Sequence, residues 1–416
     1  MAKKSFKIFG CLAIICILLF DTLCVGFAAE KTEETQLQFR DGKFKILVLS
    51  DLQDTHTPQK ETTALMHAAI DRANPDLIIL LGDNTAGWWK GVDKAQTEAA
   101  VDAVAKPIDE RGIPFALVFG NHDHEGLCDE NNGMTEEEAK EWILACFQKY
   151  KTCLAVEGEE LTGVGTYNLP ILGSDGTKNV FNLWLMDSNP YTPDEEGGGY
   201  GYVHEDQTAW YQRTSDALKA ENGGEPLPSL VFQHIIVPEA YEMFNTVKFG
   251  TKGAVRGHGS YSDRWFTANP EYIYEGELNE GPCPPDVNHG QFDSWLQQGD
   301  VIGAFFGHDH VNDFAGVYKG IHLVACPAVT FYSYGNHRGV RTITLNESDL
   351  TKFDSEILSF DELTGLKVYN LYKKNHGYIE YKNNFLPAFF GGIAAAAVLT
   401  VGGVFLGKHL KKRKNK

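Results

Sequence analysis

The 416-residue sequence predicts an α/β fold in which two β-sheets pack face to face between outer helices. Three observations lead there: the first half alternates apolar runs with helical spacing, the second half is richer in strands, and the length suits one large core with insertions and tails. In order, Lys43–Ser50 is an apolar run that ends at Asp51. Lys60–Ala73 has helical spacing through Ala64, Leu65, Ala68 and Ala69, and Asn74-Pro75 breaks it. Leu77–Leu81 reads as a buried strand, Lys94–Arg111 as a second helix closed by Gly112 and Pro114, and Phe115–Phe119 as a third strand. This β-α-β-α-β order implies parallel crossovers. Further strands are expected at Val180–Asp187, Ser229–His234, Val301–Phe306, Val317–Ala325 and Val340–Leu345, with helices at Glu205–Ala220 and Gln291–Gln298. Residues 190–204 and 238–290 lack periodicity and read as long, substrate-facing loops.

The termini have a different composition. Lys3, Lys4 and Lys7 precede the apolar run Ile8–Phe20, and small residues follow to Ala28, so residues 1–28 are expected to be a secretory signal peptide. Residues 385–407 are uncharged and long enough to span a bilayer, and residues 408–416 form a basic tail expected on the cytoplasmic side. The body is then expected to be secreted and held outside the membrane by one C-terminal helix, with residues 346–384 supplying an extra strand and a stalk. A net charge of −19 argues against docked DNA or RNA, since no basic groove is visible to meet a phosphate backbone. Of eight cysteines, five follow residue 28: Cys128, Cys146, Cys153, Cys283 and Cys326. A disulfide between two of the first three is compatible with the spacing, but there is no disulfide framework and no CxxC zinc site.

The chemistry is concentrated at strand ends. Lys43–Ser50 runs into Asp51-Leu52-Gln53-Asp54, Leu77–Leu81 into Gly82-Asp83-Asn84, and Phe115–Phe119 into Gly120-Asn121-His122-Asp123. Later, one strand ends in His234 and another in Gly307-His308-Asp309-His310. The carboxyl ends of strands in an open α/β sheet line the ligand crevice, so these clusters should converge. Oxygen and imidazole donors without thiolate suit manganese, zinc or iron, and a carboxylate such as Asp83 is able to bridge two ions. Two such ions would clamp a phosphoryl group and activate a water. His122 is expected to act as general acid, with Asp123 fixing its tautomer.

The ordered set Asp51-x-Gln53, Gly82-Asp83-Asn84, Gly120-Asn121-His122-Asp123, His234 and Gly307-His308-Asp309-His310 resembles the motif series of the calcineurin-like metallophosphoesterases, and the string 307–314 resembles their purple acid phosphatase-like subgroup. The resemblance covers about residues 40–345. It implies a four-layer double β-sandwich flanked by helices with the metal site at one sheet edge. It also implies Asp51, Gln53, Asp83 and His310 around one metal, and Asp83, Asn121, His234 and His308 around another. The implied activity is hydrolysis of a phosphate ester, a monoester by preference. Two departures matter. Histidine usually stands where this chain has Gln53, a weaker neutral ligand, and His56 lies close enough to substitute. Ala86 stands where the subgroup often has a further ligand. The alternative reading is a metal-poor relative that binds a phosphorylated ligand or partner without turnover. Retention of His122, His308 and His310 favours activity at this level.

Overall fold

The computed structural model describes residues 36–88, 91–193 and 198–368. The strands in chain order are β1 Lys43–Leu49, β2 Leu77–Leu81, β3 Phe115–Val118, β4 Tyr167–Leu172, β5 Asn179–Leu185, β6 Ser229–Gln233, β7 Phe244–Val247, β8 Val255–Arg256, β9 Trp265–Ala268, β10 Ile273–Glu275, β11 Val301–Phe306, β12 Ala315–Tyr318, β13 Ile321–Ala325, β14 Gly339–Asn346 and β15 Asp349–Ser359. The first sheet has the order β15-β14-β1-β2-β3, and the second β10-β12-β13-β11-β6-β5-β4. Within them β1, β2 and β3 run parallel, as do β5, β6, β11 and β13, with antiparallel strands at the edges.

Side-chain alternation explains the layers. On β5, Leu183 and Leu185 enter the core shared with the first sheet, while Trp184, and Met186 just past the strand, belong to the second core. The same switch separates Leu230 and Phe232 from Val231 on β6, and Phe305 from Ala304 and Phe306 on β11. A strand of period two therefore lends one face to each of two cores. Every residue of β2 is buried, which matches its unbroken apolar run. The helices Lys60–Ala73 and Lys94–Asp109 serve the first core, and Glu205–Glu221 and Gln291–Gln298 the second. The expected α/β fold of two main sheets with flanking helices is thus what the chain forms.

Several boundaries differ from expectation. The single strand expected at Val317–Ala325 is a hairpin, β12 and β13, turned at Lys319 (φ 47°) and Gly320 (φ 89°). Residues 238–290 are not simply loop, since β7, β9 and β8 make a small three-stranded sheet there. A further helix, Glu136–Phe147, was not expected; a capping box of Thr135 with Glu138 starts it. After β14 the chain pairs once more as β15, and a short helix, Phe360–Thr364, ends at Gly365. All five described cysteines are free, so the disulfide is corrected.

The expected membrane anchor is also corrected. Among the described residues no helix is long and apolar enough to cross a membrane. The signal peptide expected at 1–28 and the span expected at 385–407 lie outside the described residues.

Candidate metal centre

Five strand ends deliver the site. Asp51 lies two residues past β1, Asp83 two past β2, Asn121 three past β3, His234 directly after β6 and His308 two past β11. To aim side chains inward the backbone turns sharply, and Asp51 (φ 49°), Gln53 (φ 30°), Asp83 (φ 47°) and His308 (φ 70°) adopt the left-handed region. Non-glycine residues enter that region at a cost of about 1–3 kcal/mol, and such strain gathers at functional sites. Gly82 and Gly307 make room for the approach. A Cβ on Gly82 would stand 2.5 Å from the His234 ring, and one on Gly307 would stand 2.2 Å from Ser50 Oγ.

Asp51, Asp83 and His310 form one group whose ligand atoms lie within 4.8 Å of one another, all buried. His310 Nε2 is 3.4 Å from Asp51 Oδ1. Gln53 is buried beside them, but its side-chain amide donates to Asp83 Oδ2. Asp83 Oδ1 accepts from the His122 backbone N–H at 2.8 Å. On the other side His234 Nδ1 lies 2.9 Å from the Leu81 carbonyl and donates to it, which leaves Nε2 3.4 Å from Asp83 Oδ2 and 3.9 Å from Asp51 Oδ1. A histidine whose second nitrogen is tied to a carbonyl is oriented as metal ligands are. Asp51 Oδ1, Gln53 Oε1, Asn121 Oδ1, His234 Nε2 and His308 Nε2 are buried without a hydrogen-bond partner. Buried polar atoms seldom stay unsatisfied, so a convergent set of them fits a cation. The residues fit one ion at Asp51, Asp83 and His310, where carboxylate and imidazole donors suit manganese, zinc or iron.

Electrostatics divide the centre. Burial opposes charge on His234, but Asp83 and Asp51 more than offset it and hold the imidazolium up to about 10. Burial likewise works against Asp83 and Asp51, and the neighbouring His234 nonetheless holds both carboxyls below their ordinary range. Burial, reinforced by His234, pushes His308 down to about 3, so it stays neutral.

His122 lies at the edge of the site, about a third exposed, and its Nδ1 meets Glu125 Oε2 at 2.8 Å. Burial is outweighed by Glu125 and Asp83, and the His122 pKa is raised. The partner of His122 is therefore Glu125, which corrects the role expected of Asp123. The Asp123 carboxylate instead accepts from the backbone of Asn84 (2.7 Å), Thr85 (2.9 Å) and Gly120 (2.9 Å), and so ties the loops after β2 and β3 together. Burial and the adjacent Asp83 push Asp123 up to about 7 despite those bonds. The i,i+3 spacing of His122 and Glu125, across the start of a 3-10 turn, was the signal that would have found this pair. His56 is not in the metal group. Asp54 accepts from Gln59 N and Thr62 Oγ1, holding the start of the helix Lys60–Ala73, so the shifted Asp54-Thr55-His56 alternative is not formed.

A model of the calcineurin-like phosphoesterase family matches residues 44–312, and the chain belongs to that family. It is 29% identical over 380 residues to an Arabidopsis thaliana protein named probable inactive purple acid phosphatase 14, covering 84% of this chain and 86% of that one. It is 27% identical to probable inactive purple acid phosphatase 29 of the same plant, over 84% and 88% of the two chains. It is also 26% identical to the Saccharomyces cerevisiae protein named phosphatase DCR2, over 70% of this chain and 47% of that one.

These findings correct the expected enzyme. Among the described residues there is one group of three acidic or imidazole ligands rather than an assembled dinuclear pair. The first two relatives are named as probably inactive. The metal-dependent phosphatase or phosphodiesterase expected from the motifs gives way to a calcineurin-like fold with one candidate metal site.

Proposed function

We propose that this chain binds a phosphorylated ligand or partner, without turnover, at a site that holds one manganese, zinc or iron ion. The observation that carries the reading is the Gln53 amide on Asp83. With one oxygen accepting from a neutral amide and the other from the His122 backbone N–H, Asp83 keeps fewer free lone pairs than a bridge between two ions would use, and enough for one ion. Asp51, Asp83 and His310 would hold the ion, which supplies positive charge to a phosphate oxygen. His122, its pKa raised by Glu125 and Asp83 against burial and its ring partly exposed, stands at the edge of the site. Asn121 is fixed by Tyr191, to which its Nδ2 donates at 3.0 Å. The names of the Arabidopsis relatives agree with a family member that does not turn over substrate.

The test uses the full chain. Elemental analysis after equilibration with manganese should give one ion per chain, and calorimetry should show inorganic phosphate binding that chelation removes. An aryl phosphate should persist unhydrolysed in the same solution. Steady hydrolysis that chelation stops and Asp83→Ala abolishes would overturn the proposal.

A further inference from the structure

Each histidine at the rim of the centre carries an aromatic ring from a different part of the chain. Tyr334 stacks on His310 with centroids 4.5 Å apart and planes 11° apart. Tyr200 meets His308 edge-on at 4.3 Å, and Trp88 meets His122 at 5.0 Å. Two more rings extend the rim: Tyr332 lies 5.9 Å from Trp88, and Tyr191 stacks with Tyr200 at 6.0 Å. Tyr334 and Tyr191 are 42% and 45% exposed, and the other three are half-buried. Large rings placed for core packing would be covered, so this arrangement calls for another explanation.

Two of the rings are also fixed by hydrogen bonds. Tyr334 donates its hydroxyl to Glu280 at 2.9 Å. Tyr191 accepts from Asn121 at 3.0 Å and donates to Glu125 at 3.2 Å. A ring already held in place loses little freedom when a ligand packs on it. In an aryl phosphate one bridging oxygen separates phosphorus from the ring, so a phosphate among the histidines sets its ring directly against their aromatic neighbours. An alkyl phosphate brings no ring, and a nucleoside 5′-phosphate holds its base a sugar away.

Building on the binding reading above, we propose that Trp88, Tyr332, Tyr334, Tyr191 and Tyr200 select an aryl phosphate ester, the phosphotyrosine side chain, over alkyl phosphates. The rim acts on the group beyond the phosphate, while the metal triad holds the phosphate itself.

Calorimetry on the manganese-loaded full chain with phosphotyrosine, phosphoserine and inorganic phosphate tests this. Phosphotyrosine should bind about tenfold tighter than phosphoserine, the scale of one or two aromatic contacts. That ratio should fall to near one in Tyr334→Leu and in Trp88→Leu, and survive in Tyr334→Phe, which keeps the ring. Equal affinity for the two phosphoamino acids in a chain that does bind phosphate overturns the selection and leaves the binding reading standing. Variants that weaken both ligands alike, with the ratio intact, overturn it as well. Failure of all three ligands to bind overturns the binding reading and this inference with it.

Discussion

The two sides of the centre use the same kinds of residue and differ in what those residues already do. On one side Asp51, Asp83 and His310 converge closely enough for an ion, with Gln53 bonded to Asp83. On the other, Asn121, His234 and His308 each leave a buried atom without a hydrogen-bond partner. His308 is neutral, but His234 carries its proton up to about 10. His234 Nε2 faces both carboxylates, 3.4 Å from Asp83 Oδ2 and 3.9 Å from Asp51 Oδ1. The lesson is that a motif fixes residue types at strand ends, while the partner each atom finds decides how many ions the carboxylates accept.

The most damaging change to this arrangement should be Asp83→Ala. It removes a ligand of the one ion and the nearer carboxylate of the buried His234. Breaking such a buried pair from one side costs about 3–5 kcal/mol. Metal stoichiometry by elemental analysis should fall to zero, and the urea midpoint should drop accordingly. Retention of one ion per chain would show that the triad is not the site.

A pH series sharpens the comparison next. In the chelated protein His234 binds its proton up to about 10, whereas in the unfolded chain it lets go near 6.5. Between those values the folded state holds more protons, so stability is fully present below 6.5 and is lost as pH rises toward 10. The loss is on the order of 5 kcal/mol, read from urea unfolding at each pH. A flat profile over that window would remove the imidazolium from the account. Gln53→His, in turn, exchanges the amide on Asp83 for an imidazole and should raise manganese stoichiometry from one to two, with an unchanged fold by circular dichroism. A count that stays at one would mean that Gln53 is not what limits the centre.

Much of this was legible. Unbroken apolar runs marked β2 and β11 to the residue, and Lys60–Ala73 and Gln291–Gln298 were likewise placed by spacing and flanking signals. Strand ends then collected the ligands because an α/β topology leaves them nowhere else to go. The three-stranded sheet within 238–290 was not legible, since its strands are two to four residues long and mostly half-exposed, too short for period two to register. Glu125 was missed because Asp123, adjacent to His122, looked like the natural partner. Neighbouring residues on a tight turn point apart, and only the local geometry shows that the i+3 residue comes round to the ring.

That last point is testable by the smallest of the expected effects. Glu125→Gln keeps the size and the hydrogen-bonding reach of the side chain but removes the charge beside His122. The His122 pKa, followed by NMR titration of its ring protons, should fall, because burial already opposes the imidazolium and Glu125 is the first of the groups that raise it. Stability should change by no more than about 0.5 kcal/mol, since both side chains are about a third exposed and water screens the pair. Asp123→Asn is the contrast. It strips charge from a carboxylate that accepts three backbone N–H groups, so it should lower the urea midpoint while leaving the titration of His122 in place. If Asp123→Asn moved the His122 titration and Glu125→Gln did not, Asp123 would be the orienting residue after all, and the hydrogen bond to Glu125 would be incidental.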